Sequence, residues 1–238
     1  VKRNKIKFII FGQSRSGSTL LLELLNSHPD INCEGELFNK FKLYIKTPLL
    51  LKFFTRYPFP YINYRMKKSM APLYGFKLFF FQVHFPDKCL KQLADRGWKF
   101  IHVRRENILD QSLSNIIALE TNYWHRRKDE INPNQAINIP PKRLLRVLKT
   151  RSNWRKRELN MMAPYDHVTV IYEKDLQNAD QWQETAAKVY NYLGLNPVQV
   201  KTDLRPTDTR PYTERIENYV ELMSMLKTSE FAYLAPRQ

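Results

Sequence analysis

Two cysteines in 238 residues, Cys33 and Cys89, are too few to make a disulfide framework, and they fit a reducing compartment. No apolar run reaches the roughly 18 residues needed to cross a bilayer, which excludes an obvious spanning helix. No secretory pattern opens the chain, although it begins at Val1 rather than Met, so a trimmed start with an anchor or signal upstream stays open. Zinc-finger, RRM-like and helix-turn-helix signatures are missing, as is any Cys/His cluster at metal-ligand spacing. Specific nucleic-acid recognition and a resident metal are therefore not expected. Internal repeats and low-complexity tracts are also lacking. Acidic residues are scarce relative to basic ones, 23 against 39, and the formal charge is +16. Such an imbalance favours an anionic partner without naming it.

Hydrophobic residues make up 43% and aromatics 13%, enough to exclude disorder and to fill the core of one α/β domain. The most informative stretch is Lys7 to Ser27. Phe8-Ile9-Ile10-Phe11 reads as a buried strand, Gly12 to Thr19 as a small polar loop, and Leu20, Leu21, Leu24 and Leu25 recur at helical spacing. Strand, loop and helix in that order aim backbone N–H groups and a positive helix end at one point, which suits phosphate or sulfate. Gly12-x4-Gly17-Ser18-Thr19 nearly fits the nucleotide P-loop, but Ser18 stands where the phosphate-reaching lysine belongs. The cation here is Arg15, inside the loop.

Arg15-Ser16-Gly17-Ser18-Thr19, with Ser27-His28-Pro29-Asp30 after the helix, resembles the first binding motif of sulfotransferases that use 3′-phosphoadenosine 5′-phosphosulfate (PAPS). The likeness is to the bacterial and Golgi-type carbohydrate branches and the tyrosylprotein branch. It implies that Arg15, Ser16, Gly17, Ser18 and Thr19 hold the 5′-phosphosulfate. The tyrosylprotein branch places its catalytic glutamate at a spacing that, counted from Arg15, falls on Glu36. Glu34 is the fallback, since on an extended strand both carboxylates point to one side. His28 reads as a helix-end cap.

A second strand-turn-helix follows at Trp98–Val103, Arg104-Arg105-Glu106-Asn107 and the helix from Ile108. It resembles the family's 3′-phosphate motif. The bacterial pattern Arg-x-[DN]-x-x-x-Gln-x-x-Ser fits Arg105, Gln111 and Ser114, and the shorter eukaryotic spacing fits Arg104 and Ser112. Arg105 with Ser114 is preferred because Ser114-Asn115-Ile116-Ile117-Ala118 also follows the bacterial form. Lys77, in the strand Tyr74 to Gln82, resembles a lysine of bacterial members and is otherwise expected at a strand edge or tip. Lys201, Arg205 and Arg210 are candidates for a late loop closing over the nucleotide.

Elsewhere the pattern gives helices at 86–96, 141–162, 181–193 and 216–226 and a strand at 167–172. Residues 38–72 read either as an irregular insertion with its own aromatic cluster or as an acceptor-binding lid. Residues 121–141 form a second insertion, in which Trp124 suits stacking or packing.

The expectation is an α/β, P-loop-like three-layer fold, a central parallel sheet flanked by helices, forming one sulfotransferase domain over 1–238. Its reaction is transfer of the sulfuryl group of PAPS, without a metal, to an acceptor hydroxyl by in-line displacement, Glu36 taking the proton and Arg15 stabilising charge. The acceptor can be a glycan, a lipid-linked sugar, a peptide or a small alcohol, with a carbohydrate-type hydroxyl favoured by the nearest branches. The chain is expected in the cytoplasm, or in the Golgi lumen if cut from an anchor. The competing readings are a P-loop kinase or NTPase, and a non-enzymatic binder of acidic polymers.

Overall fold

The computed structural model describes residues 5–39, 48–130, 135–206 and 208–235. In chain order the elements are β1 (Ile6–Gly12), α1 (Ser18–Leu25), β2 (Ile31–Glu36), α2 (Pro48–Arg56), α3 (Pro58–Lys68), β3 (Leu73–Phe79), α4 (Pro86–Ala94), β4 (Trp98–Arg104), α5 (Ile108–Thr121), β5 (Arg126–Arg127), α6 (Pro141–Met162), β6 (His167–Ile171), α7 (Trp182–Leu193), β7 (Leu204–Arg205), α8 (Tyr212–Arg215) and α9 (Tyr219–Lys227). They fall into two compact units, Val1–Arg104 with Glu158–Thr202, and Arg105–Arg157 with Asp203–Gln238.

The first unit holds a five-stranded, wholly parallel sheet in the order β2-β3-β1-β4-β6. A central parallel strand is covered on both faces, so its apolar run need not alternate with polar residues. Phe8 to Phe11 are accordingly all buried. Phe8 and Ile10 of β1 join Ile101 and Val103 of β4, Leu21, Leu24 and Leu25 of α1, and Val189 and Tyr190 of α7 in one core cluster. Each such side chain contributes about 1.5–3 kcal/mol by leaving water. The alternation of the strand sends Ile9 and Phe11 to the opposite face.

β1 is the strand from which the chain first crosses over to β2 and leaves room for β3, with β4 added on its other side. Open parallel sheets bind ligands outside the carboxyl ends of their strands, where strand order changes direction. Gly12, at that end of β1, pairs with Phe79 on one side and Val103 on the other.

The second unit packs Leu109, Leu113 and Ile116 of α5 against Leu144 and Leu148 of α6 and Leu222 and Leu226 of α9. β5 pairs with β7 antiparallel. The last helix begins at Tyr219 rather than Ile216, because Ile216 is taken up in a bridge to Ile137.

Residues 48–56 and 58–68 are helical, which corrects the expectation of an irregular insertion there. Pro58 starts α3 at a position where its missing N–H costs nothing. Phe53, Tyr57, Tyr61 and Tyr64 then fall at steps of helical reach. Their rings meet, Phe53 with Tyr57 at 5.2 Å and Tyr61 with Tyr64 at 6.4 Å, so the expected aromatic cluster is present. Residues 40–47 of that insertion lie outside the described residues.

Candidate active site

The loop 12–17 is held by a buried hydroxyl and by close approach at both of its glycines. Ser16 is fully buried, and its hydroxyl donates to the Gln13 carbonyl at 2.7 Å. What Ser16 can offer an anion is therefore its backbone N–H. Arg15 adopts φ 64°, rare for a residue with a Cβ, and Gly17 follows at φ 88° as the residue preceding α1. A Cβ on Gly17 would meet the Tyr172 ring at 2.7 Å and Leu176 at 2.9 Å. A Cβ on Gly12 would meet the Val103 carbonyl oxygen at 2.2 Å. Both glycines of the motif are thus required by close approach. The first N–H groups of α1, at Ser18, Thr19 and Leu20, have no partner within the helix and stand at its positive end.

Gln13 is anchored from beneath. Its side-chain amide donates to Glu158 Oε2 at 2.8 Å, and Glu158 Oε1 lies 2.8 Å from Nε2 of His102. All three side chains are buried. This anchor was not anticipated from the sequence.

Thr19 connects the loop to a carboxylate. Lys77 Nζ donates to Thr19 Oγ1 at 2.8 Å and stands 3.6 Å from Glu36 Oε1. Glu36 Oε2 also accepts from Gln82 Nε2 at 2.8 Å and from Asn39 Nδ2 at 3.1 Å. Lys77 is buried inside β3 rather than at a strand edge or tip, because an ion pair and a hydroxyl wait for it there.

Glu34 does not share this position. The register between β2 and β3 shifts between Glu34 and Glu36, with Gly35 as the extra residue. Such a bulge breaks the two-residue alternation that would have put both carboxylates on one side. Glu34 instead pairs with Arg65 of α3 at 2.7 Å. Burial and the Glu34 charge hold the Tyr74 phenol above its usual range. His28 is buried, and its Nδ1 accepts the N–H of Asp30 at 3.1 Å. The ring thereby braces the turn that follows α1.

In the second unit Arg105 NH2 lies 3.5 Å from Asp110 Oδ2. Asn107 caps α5, accepting from Asp110 N at 3.0 Å. Arg155 donates to the Glu106 carbonyl at 2.8 Å. Ser112 is sealed in the packed side of α5, whereas Ser114 is half-buried. Of the late basic residues, Lys201 bonds through its backbone to the Ser27 hydroxyl, at 2.9 and 3.0 Å. Arg205 donates to the Leu204 carbonyl, and Arg210 forks onto Asp208 at 3.1 and 2.7 Å. The Trp124 indole donates to Asn122 Oδ1 at 3.3 Å.

Among the described residues, no three His, Cys, Asp or Glu side chains are grouped to hold a metal ion. Among the same residues, no helix is long and apolar enough to cross a membrane.

Residues 8–56 match a model described as the sulfotransferase family. The chain is 26% identical over 231 residues to Nodulation protein H of Rhizobium meliloti strain 1021, covering 90% of this chain and 89% of that protein. A second Rhizobium meliloti protein of the same name matches equally. A sulfotransferase from Alicyclobacillus acidocaldarius of known crystal structure superposes with a TM-score of 0.55 at 16% identity, covering 97% of this chain and 93% of the other, and so shares the fold. A matching family model over residues 8–56, relatives along nearly the whole chain and the expected parallel sheet together support a sulfotransferase family and a sulfotransferase enzyme.

Proposed function

We propose that the sulfuryl donor is PAPS and that Glu36 is the base that takes the acceptor proton. The observation that carries this reading is the chain of contacts from Thr19, at the head of α1, through Lys77 to Glu36. It fixes a carboxylate beside an anion-binding loop.

In this reading the N–H groups of Gly17, Ser18 and Thr19, with Arg15, grip the 5′-phosphosulfate. Glu36 keeps lone pairs beyond those used by Lys77, Gln82 and Asn39, and one of them accepts the hydroxyl proton. The acceptor oxygen bonds to sulfur as the bond from sulfur to the 5′-phosphate oxygen breaks, and that oxygen leaves with the electron pair as adenosine 3′,5′-bisphosphate. Arg15 and Lys77 meet the charge on the sulfuryl oxygens and on the departing phosphate. The 3′-phosphate is assigned to Arg105 and Ser114. Their strand-to-helix motif supports this, as does the accessibility of Ser114 compared with the sealed Ser112. A carbohydrate-type hydroxyl is the acceptor we favour.

Calorimetry tests the donor directly. Adenosine 3′,5′-bisphosphate should bind without added metal and ATP should bind far more weakly. Preference for ATP with magnesium would return the chain to the nucleotide kinases.

A further inference from the structure

A concavity lies in the first unit, between the α2–α3 pair and α4. It encloses about 690 Å³, and Phe53, Tyr57, Phe59, Val83, Phe85 and Cys89 supply most of its apolar wall. That volume falls within the range of roughly 300–1,000 Å³ usual for small-molecule sites. The Thr55 carbonyl accepts from His84 N at 2.8 Å and ties α2 to the segment before α4.

Two features of the walls stand out. The aromatic residues are unusually bare, with Phe53 47%, Tyr57 51% and Phe85 48% exposed, and α2 buries no residue at all. The charged residues of the lining are Arg56, Lys88 and Arg96, all basic, with no carboxylate in the wall. None of the three is in an ion pair among the described residues. The Arg96 guanidinium lies 4.2 Å from the Phe59 ring centre, and that of Arg56 lies 5.3 Å from Phe85 and 5.8 Å from Tyr57. Arg56 Nε donates to the Tyr57 hydroxyl at 3.3 Å and Arg96 NH1 to the Gln92 carbonyl at 2.8 Å, which leaves the other N–H groups of each guanidinium for an acceptor.

We infer that this groove binds an amphiphilic acid, an apolar acyl or aryl body carrying one anionic group. The apolar body covers the bare aromatic rings, and the acid group goes to the stacked guanidinium ions and Lys88. The three cations are exposed, so a neutral body would gain nothing from them, and a cationic one would be repelled. The inference does not depend on the identity of the base, and only the blocking of the Arg15 loop in its test rests on the proposed donor.

The test is titration calorimetry on the whole chain with dodecanoate and, separately, naphthalene-2-sulfonate. Both are used below any micelle threshold, with adenosine 3′,5′-bisphosphate in excess so that the loop at Arg15 does not report. Binding of dodecanoate alone identifies an acyl groove, and of naphthalene-2-sulfonate alone an aryl one. Either supports the inference if dodecyltrimethylammonium does not bind. Replacing both arginines of the wall, Arg56→Gln with Arg96→Gln, should weaken the bound acid by about 10- to 100-fold, the loss expected for charge-assisted contacts. Gln92→Trp, which fills the groove from α4, should abolish binding with the circular dichroism spectrum unchanged. Equal binding of the cationic amphiphile, unchanged affinity in the double variant, or no binding of either acid would overturn the inference.

Discussion

The side-chain amide of Gln13 donates to Glu158 at 2.8 Å across 145 residues of sequence, and the other oxygen of Glu158 meets His102 at 2.8 Å. The loop at the head of β1 is therefore held by α6 as well as by its own turn. Glu158→Leu should destabilise the protein by about 3 kcal/mol, because it strands two buried polar partners at once. Urea unfolding followed by circular dichroism measures the loss. Gln13→Leu strands only one partner, so its effect should be smaller. Donor affinity should fall in both variants if the anchor shapes the loop.

Glu36→Gln changes little in shape, and its amide can still bond to Gln82 or Asn39. As base, however, it is lost, and turnover should fall by about 100- to 10,000-fold. Calorimetry with adenosine 3′,5′-bisphosphate should give nearly the wild-type affinity. Loss of nucleotide binding in this variant would contradict the role assigned to Glu36.

Lys77→Met keeps the volume of a buried side chain while removing the contacts to Thr19 and Glu36. Removing a preorganised cation from a developing charge should lower kcat by about 100-fold. The melting temperature should fall as well, since only one partner is removed and Glu36 loses its cation, so kcat is compared well below the transition. A large drop in Tm with kcat nearly unchanged would make Lys77 a structural residue only.

Gly17→Ala addresses the loop itself. The left-handed backbone there costs a residue with a Cβ about 1–2 kcal/mol, and the added methyl also meets Tyr172 and Leu176. The variant should unfold at lower urea and bind adenosine 3′,5′-bisphosphate at least about tenfold more weakly, since about 1.4 kcal/mol is a factor of ten.

The parts of the molecule that were legible in the sequence are those written in consecutive residues. Phe8 to Leu25 declares strand, loop and helix by its own order, and α6 starts and stops where its pattern does. The bulge at Gly35 was hidden because register belongs to a pair of strands, and only β3 reveals it. Gln82 was passed over for the same reason. Its bond to Glu36 spans 46 residues, and a glutamine at the end of an apolar run carries no local mark of its purpose. Lys77 could be singled out as an odd charge in an apolar strand. Its partners, Thr19 and Glu36, come from two other elements and were not visible until the strands were placed side by side.

The cysteines give the last test. Both are free and buried, and burial raises both thiols, with Lys77 opposing and Glu34 adding to the effect at Cys33. Cys89 is pushed up to about 12, and burial likewise takes the Tyr190 phenol to about 12. In the unfolded chain these groups ionise from their ordinary values of 9.0 and 10.0. Above pH 9 the unfolded state therefore sheds protons that the folded state retains, and stability must fall as pH rises towards 12. Their contribution is complete below pH 9 and is lost through the folded values. Urea midpoints taken at rising alkaline pH should decline steadily. Iodoacetamide at mildly alkaline pH should leave both thiols unmodified in the native protein and label both in urea, because only the thiolate reacts. Rapid native labelling of Cys89 would show that the wall it forms in the α4 groove opens to solvent.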